Sequence, residues 1–471
     1  MKRVLAIALV LAACGDEPKL TIAELQDPNT CMSCHPKHTE QWSGSMHAYA
    51  SIDPIFRAAH KRGQRETNGE MGLFCVNCHA PMAVANGTIT EQNVRDFDFD
   101  TLSPAETGIT CYFCHNVVDV TTDHNNGLVL AMDQTMRGGA PNPVDNPAHH
   151  SAFSPLMAGA TSESLACGSC HDVVNPAGVR IENTFAEWKE TIFASTPEPT
   201  LSLTCSECHM TVSDDVIADA PGLDVPFRKN GMHDHMMPGI DQAMVDFPQR
   251  AEQEQAIYEF LEPSIGIKGP RPRGERRAPG GICLDPPGTL TVRVDSFNVG
   301  HSFPSGAAFD RRVWLEVTAY DANDQIVFQR GAVPDGMDPE QLGEPDLFGL
   351  WARAKNGQGL GAHFFWEIAS IDPNPLHVLP GPVTFDENDP RFDHSRTATF
   401  PNVPNIQAIE RIEARLRMRA LSYELIRLLE ESGDLAPGFA DKLPTLEVQQ
   451  STWLRSTKGT GLAMFTNCNP S

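Results

Sequence analysis

Cys31-Met32-Ser33-Cys34-His35 is the stretch on which the reading of this chain turns. Its pattern, C-x-x-C-H, returns at Cys75–His79, Cys111–His115, Cys167–His171 and Cys205–His209. From the chain's own Cys and His frequencies, only about 0.01 such matches are expected by chance. The spacing has a chemical reason. Two cysteines three apart can each form a thioether to one haem vinyl group, and the adjacent histidine then reaches the iron from the proximal side. Cys31, Cys34, Cys75, Cys78, Cys111, Cys114, Cys167, Cys170, Cys205 and Cys208 are therefore read as attachment points. His35, His79, His115, His171 and His209 are read as proximal ligands, which implies five covalently attached c-type haems.

Zinc clusters and disulfides are the competing readings. A structural zinc site takes four ligands, usually from paired motifs at regular separations. Here a histidine follows every cysteine pair, and the motif starts lie 44, 36, 56 and 38 residues apart. Disulfide pairing gives no reason for that invariant histidine.

Residues 1–13 read as an export signal, with Lys2 and Arg3 ahead of the apolar run Val4–Ala13. That run is too short to span a bilayer, and no other approaches the ~18 apolar residues of a membrane helix. Leu11-Ala12-Ala13-Cys14-Gly15 resembles a bacterial lipoprotein cleavage box, which would make Cys14 the lipidated N-terminus. An exported lipoprotein follows, periplasmic or anchored in the outer membrane, and Gly15 rather than Asp after Cys14 favours the outer membrane. Two cysteines remain, Cys283 and Cys468, and in an exported protein such a pair is expected to be bridged. The formal net charge of −25 argues against nucleic acid as a partner, because phosphate binding needs the opposite sign. It suits a basic soluble redox partner, or simply solubility.

The chain divides at 262. Residues 14–262 hold all five motifs with little periodicity, as expected where porphyrin supplies much of the core, and short helices are expected near Ala48–Lys61, Phe185–Phe193 and Gln249–Leu261. Residues 263–281 read as a Pro/Gly/Arg linker. From 282 to 471 the apolar period becomes two: Leu290, Val292 and Val294; then Val313, Leu315, Val317 and Ala319; then Ile412, Ala414, Leu416 and Met418. These are half-buried antiparallel strands, followed by one helix with Leu425, Ile426, Leu428 and Leu429 inward. The fold class is α+β multidomain: a mainly irregular and helical multihaem domain, then a β-sandwich-like domain.

Several further stretches carry a resemblance: WSGSMHA (42–48), HHSAFSPLMAG (149–159), CGSCHDVVNP (167–176), TFAEWKET (184–191), CSECHM (205–210), HDHMMPG (233–239) and GHSFPSG (300–306). Together they resemble the multihaem cytochromes c of the cytochrome c554/hydroxylamine oxidoreductase group. In that group sequence-distant histidines ligate the irons from the distal side. Carried over by motif, His47, His149 or His150, His235 or His233, and His301 are the distal candidates. For the fifth iron, His124 is favoured over His60, since it lies close in the chain to the third motif. His38, His363, His377 and His394 lack such context and are read as surface residues. The resemblance implies electron transfer, with other redox proteins or quinol-linked cytochromes as partners. The alternative is chemistry on small nitrogen or sulfur oxyanions at one open haem. Every motif ends in His, and none is the C-x-x-C-K variant that marks the catalytic haem of pentahaem nitrite reductases. No catalytic residue is therefore assigned.

Overall fold

The computed structural model describes residues 19–455, apart from 145, 159, 195–201, 220–223, 268–280, 297, 373, 375, 376, 385, 387 and 393. The signal segment, Cys14, most of the proposed linker and Cys468 lie outside the described residues. Cys283 is disulfide-bonded.

Through the first half of the chain the backbone runs as short helices joined by turns and four two-stranded ribbons. Each C-x-x-C-H spans about one helical turn, the fourth being the last turn of the longer helix Ala160–His171. The amide of His35 donates to the Cys31 carbonyl at 2.8 Å, and that of His79 to Cys75 at 3.2 Å, which sets both sulfurs on one side of the turn. Sequence fixes where these turns begin. Thr110 caps Cys111–His115, and Thr204 forms a capping box with Glu207 ahead of Cys205–His209. The helix expected at Ala48–Lys61 is two, Met46–Tyr49 and Pro54–Glu66. Asp53 accepts from the amides of Ile55 and Phe56, and Pro54 supplies the first helical position. The helix expected over Phe185–Phe193 is shorter, Thr184–Lys189, whereas Arg250–Leu261 lies where expected. Apolar packing here is divided among small clusters, such as Val76, Ala80, Ala83, Ile89, Val94 and Phe99.

Beyond residue 264 two antiparallel sheets pack face to face. One contains Ile282–Asp285, Thr289–Ser296 and Ser395–Phe400; the other runs Ile326–Arg330, Arg312–Tyr320, Arg411–Arg419, Leu446–Leu454. Leu290, Val292 and Val294 of the first share one core with Val313, Leu315, Val317, Ile412, Ala414 and Leu416 of the second. Register follows from the period-two pattern: Leu315 faces Leu416 and Val317 faces Ala414, because a slip of one residue would turn every apolar side chain outward. Two expectations are corrected. Ile265–Ile267, assigned by composition to the linker, is a strand paired with Thr289–Ser296, and its three residues are buried. Arg312–Tyr320 is covered on its outer face as well, where Arg419 stacks over Trp314 and Tyr423.

The strand-rich region is packed onto the helical one. Ile55 and Ala58 join Phe364, Leu425, Ile426 and Leu429 in one cluster, and Leu428 is only half-buried at its edge. Across the same seam Arg62 donates to the Leu428 carbonyl at 2.8 Å, and the Asn175 amide donates to the Phe365 and Ile368 carbonyls at 2.9 and 2.8 Å. No helix among the described residues is long and apolar enough to cross a membrane.

Candidate functional site

Four of the five motif histidines face a second imidazole. The ring centroids of His35 and His149 are 6.4 Å apart with planes 28° from parallel. His115 and His235 are 6.3 Å apart at 21°, and His209 and His301 6.4 Å apart at 13°. His171 and His47 are 6.1 Å apart with planes crossed at 60°. A metal bound by one nitrogen from each ring at about 2 Å, with each nitrogen roughly 1 Å from its ring centre, sets centroids about 6 Å apart. The pairs therefore fit an iron between the two rings.

Hydrogen bonding fixes which nitrogen is free to bind. Nδ1 of His35, His79, His115 and His209 lies 2.6, 2.9, 2.5 and 2.8 Å from the carbonyl oxygens of Ile217, Ala50, Arg137 and Pro238. On the facing side, Nδ1 of His149, His235 and His301 lies 2.9, 2.8 and 2.8 Å from the carbonyls of His150, His233 and Ser302. A carbonyl only accepts, so each Nδ1 carries the hydrogen and Nε2 keeps the lone pair a metal needs. Burial, with neighbouring imidazoles, pushes His47 and His209 down to about 4 and His235 to about 3, so these rings are neutral at neutral pH. The ten motif cysteines are all free thiols, as thioether formation requires. Among the described residues no three His, Cys, Asp or Glu converge as a zinc site would.

The paired candidates separate here. His149, not His150, faces His35, and His150 is exposed; His235, not His233, faces His115, and His233 ends the ribbon strand Phe227–His233. His47 and His301 face His171 and His209. The fifth expectation is not met. His124 bonds through Nδ1 to Asp123 at 2.9 Å and makes no ring contact with any histidine among the described residues; its turn is anchored by the Asn125 and Asn126 amides, which donate to the Asp172 and Ser169 carbonyls. His60 is buried with Nε2 3.2 Å from the Val94 carbonyl. His79 stacks instead on Phe56, centroids 4.1 Å apart and planes 7° from parallel, and no second imidazole faces it among the described residues. His38, read as a surface residue, packs between His35 and His235, at 5.9 and 4.8 Å.

Three pairs of motifs approach one another through their sulfurs: Cys31 lies beside Cys111, Cys78 beside Cys170, and Cys167 beside Cys205. Cys114 lies near both Cys167 and Cys170. Sequence reasoning missed these contacts. It also missed Glu187, which accepts from the Ser302 amide at 3.0 Å and the Ser305 hydroxyl at 2.7 Å. The only sign of Glu187 was its place inside TFAEWKET.

Residues 30–116 match the family described as cytochrome c554 and c-prime. No curated protein matches the chain. Among solved structures, a penta-heme cytochrome c552 from Thermochromatium tepidum shares the fold with a TM-score of 0.56 at 20% identity, covering 90% of this chain and 97% of that one. Residues 30–116 therefore resemble that family, the chain as a whole shares the fold of that cytochrome, and the five C-x-x-C-H motifs are those of c-type haem attachment.

Proposed function

We propose that the chain is an exported, lipid-anchored relay that passes electrons through five covalent c-type haems, four of them held between two histidines. The four facing imidazole pairs carry this reading. An iron ligated from both sides by protein cannot bind substrate without losing a ligand, so it serves transfer. The sulfur contacts support an order. Each sulfur is bonded to its haem's edge once attached, so motifs whose sulfurs touch hold neighbouring haems. The first motif then adjoins the third, the third lies near the fourth, and the fourth adjoins both the second and the fifth. The route is branched, with the fourth motif at the junction. Soluble or quinol-linked redox proteins are its partners, and Cys14 holds it at a membrane.

One observation favours a second reading. His79 has no facing imidazole among the described residues, so the haem of the second motif is the place where a small nitrogen or sulfur oxyanion would bind. Protein made with a haem-attachment system distinguishes the two. Mass spectrometry should give five haems per chain. Carbon monoxide titration of the reduced protein should give one binding iron and four that remain low-spin. Turnover of hydroxylamine or nitrite at that iron would move the assignment from relay to enzyme; fewer than four low-spin irons would remove the relay reading altogether.

A further inference from the structure

Met237 singles out the haem of the fourth motif. Its backbone has φ of 47°, a left-handed conformation uncommon for a residue with a side chain. Its thioether sulfur lies 3.1 Å from Nδ1 of His47. Seven of the other eight axial candidates described above place Nδ1 against a backbone carbonyl. His171, which faces His47, has no protein partner at Nδ1 among the described residues. Among the described residues both rings of this pair therefore lack the carbonyl that the other seven have.

That difference acts on the iron. An imidazole whose N–H is shared with a strong acceptor becomes a more basic ligand and stabilises the ferric state. A thioether is a weak acceptor. Resting on the relay reading, we infer that the haem between His171 and His47 has the highest midpoint potential of the four doubly ligated haems. It also stands at the junction of the proposed route, since Cys170 lies beside Cys78 and Cys167 beside Cys205. With haems attached, His171 and His47 would hold the iron at which electrons supplied by a redox partner rest before passing toward the second or the fifth motif. Met237 is a positioning and tuning residue in this scheme, acting through His47.

Potentiometric titration of the holoprotein, followed by electron paramagnetic resonance, tests it. Ligand planes crossed at 60° set the signal of this haem apart from the three pairs within 28° of parallel. In the wild type that signal should be the first low-spin signal to vanish on reduction. Met237→Asn places a carbonyl oxygen where the sulfur stands, in a residue type that tolerates φ near 47°. It should lower this midpoint alone, by a shift on the order of the ~59 mV that makes a tenfold change in the reduced-to-oxidised ratio. Met237→Leu, with no acceptor, should leave it high. If the crossed-plane haem titrates with or below the others, or Met237→Asn leaves it unmoved, the inference fails. Loss of its low-spin signal in Met237→Leu would show sulfur ligation and also overturn it. Absence of the low-spin signals from the wild type would instead sink the relay reading.

Discussion

His301 lies far along the chain from every haem motif, on the loop Gly300–Gly306 of the strand-rich half, yet its ring stands 6.4 Å from that of His209. Local chemistry holds it there. Its Nδ1 bonds to the Ser302 carbonyl at 2.8 Å, and Gly306 closes the loop with φ of 67°, a conformation that favours glycine. A ring so held presents Nε2 without a rotamer search. His301→Ala should convert one low-spin iron to high-spin and raise carbon monoxide binding by one equivalent, with haem content unchanged. Unaltered oxidised and reduced spectra would reduce His301 to a loop residue.

Between elements, the contact that matters most is the one that carries this loop. The helix Thr184–Lys189 follows the fourth motif and meets the loop with two side chains. Glu187 accepts from the Ser302 amide and the Ser305 hydroxyl, and Thr184 accepts from the Gly306 amide at 3.1 Å. Glu187→Ala leaves that amide without its acceptor, a loss of about 1–3 kcal/mol. The expected result is a lower unfolding midpoint together with partial high-spin character at the His209 iron. Glu187→Gln, which keeps an acceptor, should restore the low-spin spectrum. Identical spectra for wild type and the alanine variant would mean the loop is held by other contacts.

Across the whole molecule, the two halves meet at a seam that should respond to pH through His363. Burial pushes this imidazole down, but its 2.5 Å hydrogen bond to Asp310, with the charges of Asp310 and Glu424, outweighs burial and leaves its pKa above 6.5. A group whose pKa is raised on folding stabilises fully below its unfolded value and loses that contribution as pH climbs through the folded one. Denaturant unfolding should therefore show falling stability from about pH 6.5 upward, and His363→Gln should flatten that slope. Parallel slopes for the two proteins would exclude His363 as the cause. Asp310 also accepts from Ser422, the cap of the helix Tyr423–Glu431 that packs on Ile55 and Ala58, so the titration is felt at the seam.

The attachment chemistry was legible in the sequence because it is local. One helical turn brings two sulfurs and an imidazole together, so C-x-x-C-H declares itself wherever it stands. The strands at Leu290, Val313 and Ile412 were legible for the same reason, since a period of two needs only neighbours. Which imidazole faces which was not legible in that way. His149 and His150 are chemically identical and adjacent, and only long-range folding turns the first toward His35 and leaves the second exposed. His124, close in sequence to a motif, is tied to Asp123, while His301, distant from all of them, reaches a motif histidine. The sulfur-to-sulfur contacts, the pinning of the loop by Glu187 and the thioether beside His47 were likewise decided only by tertiary structure. Each joins segments separated by many residues, and no local spacing encodes where such segments meet.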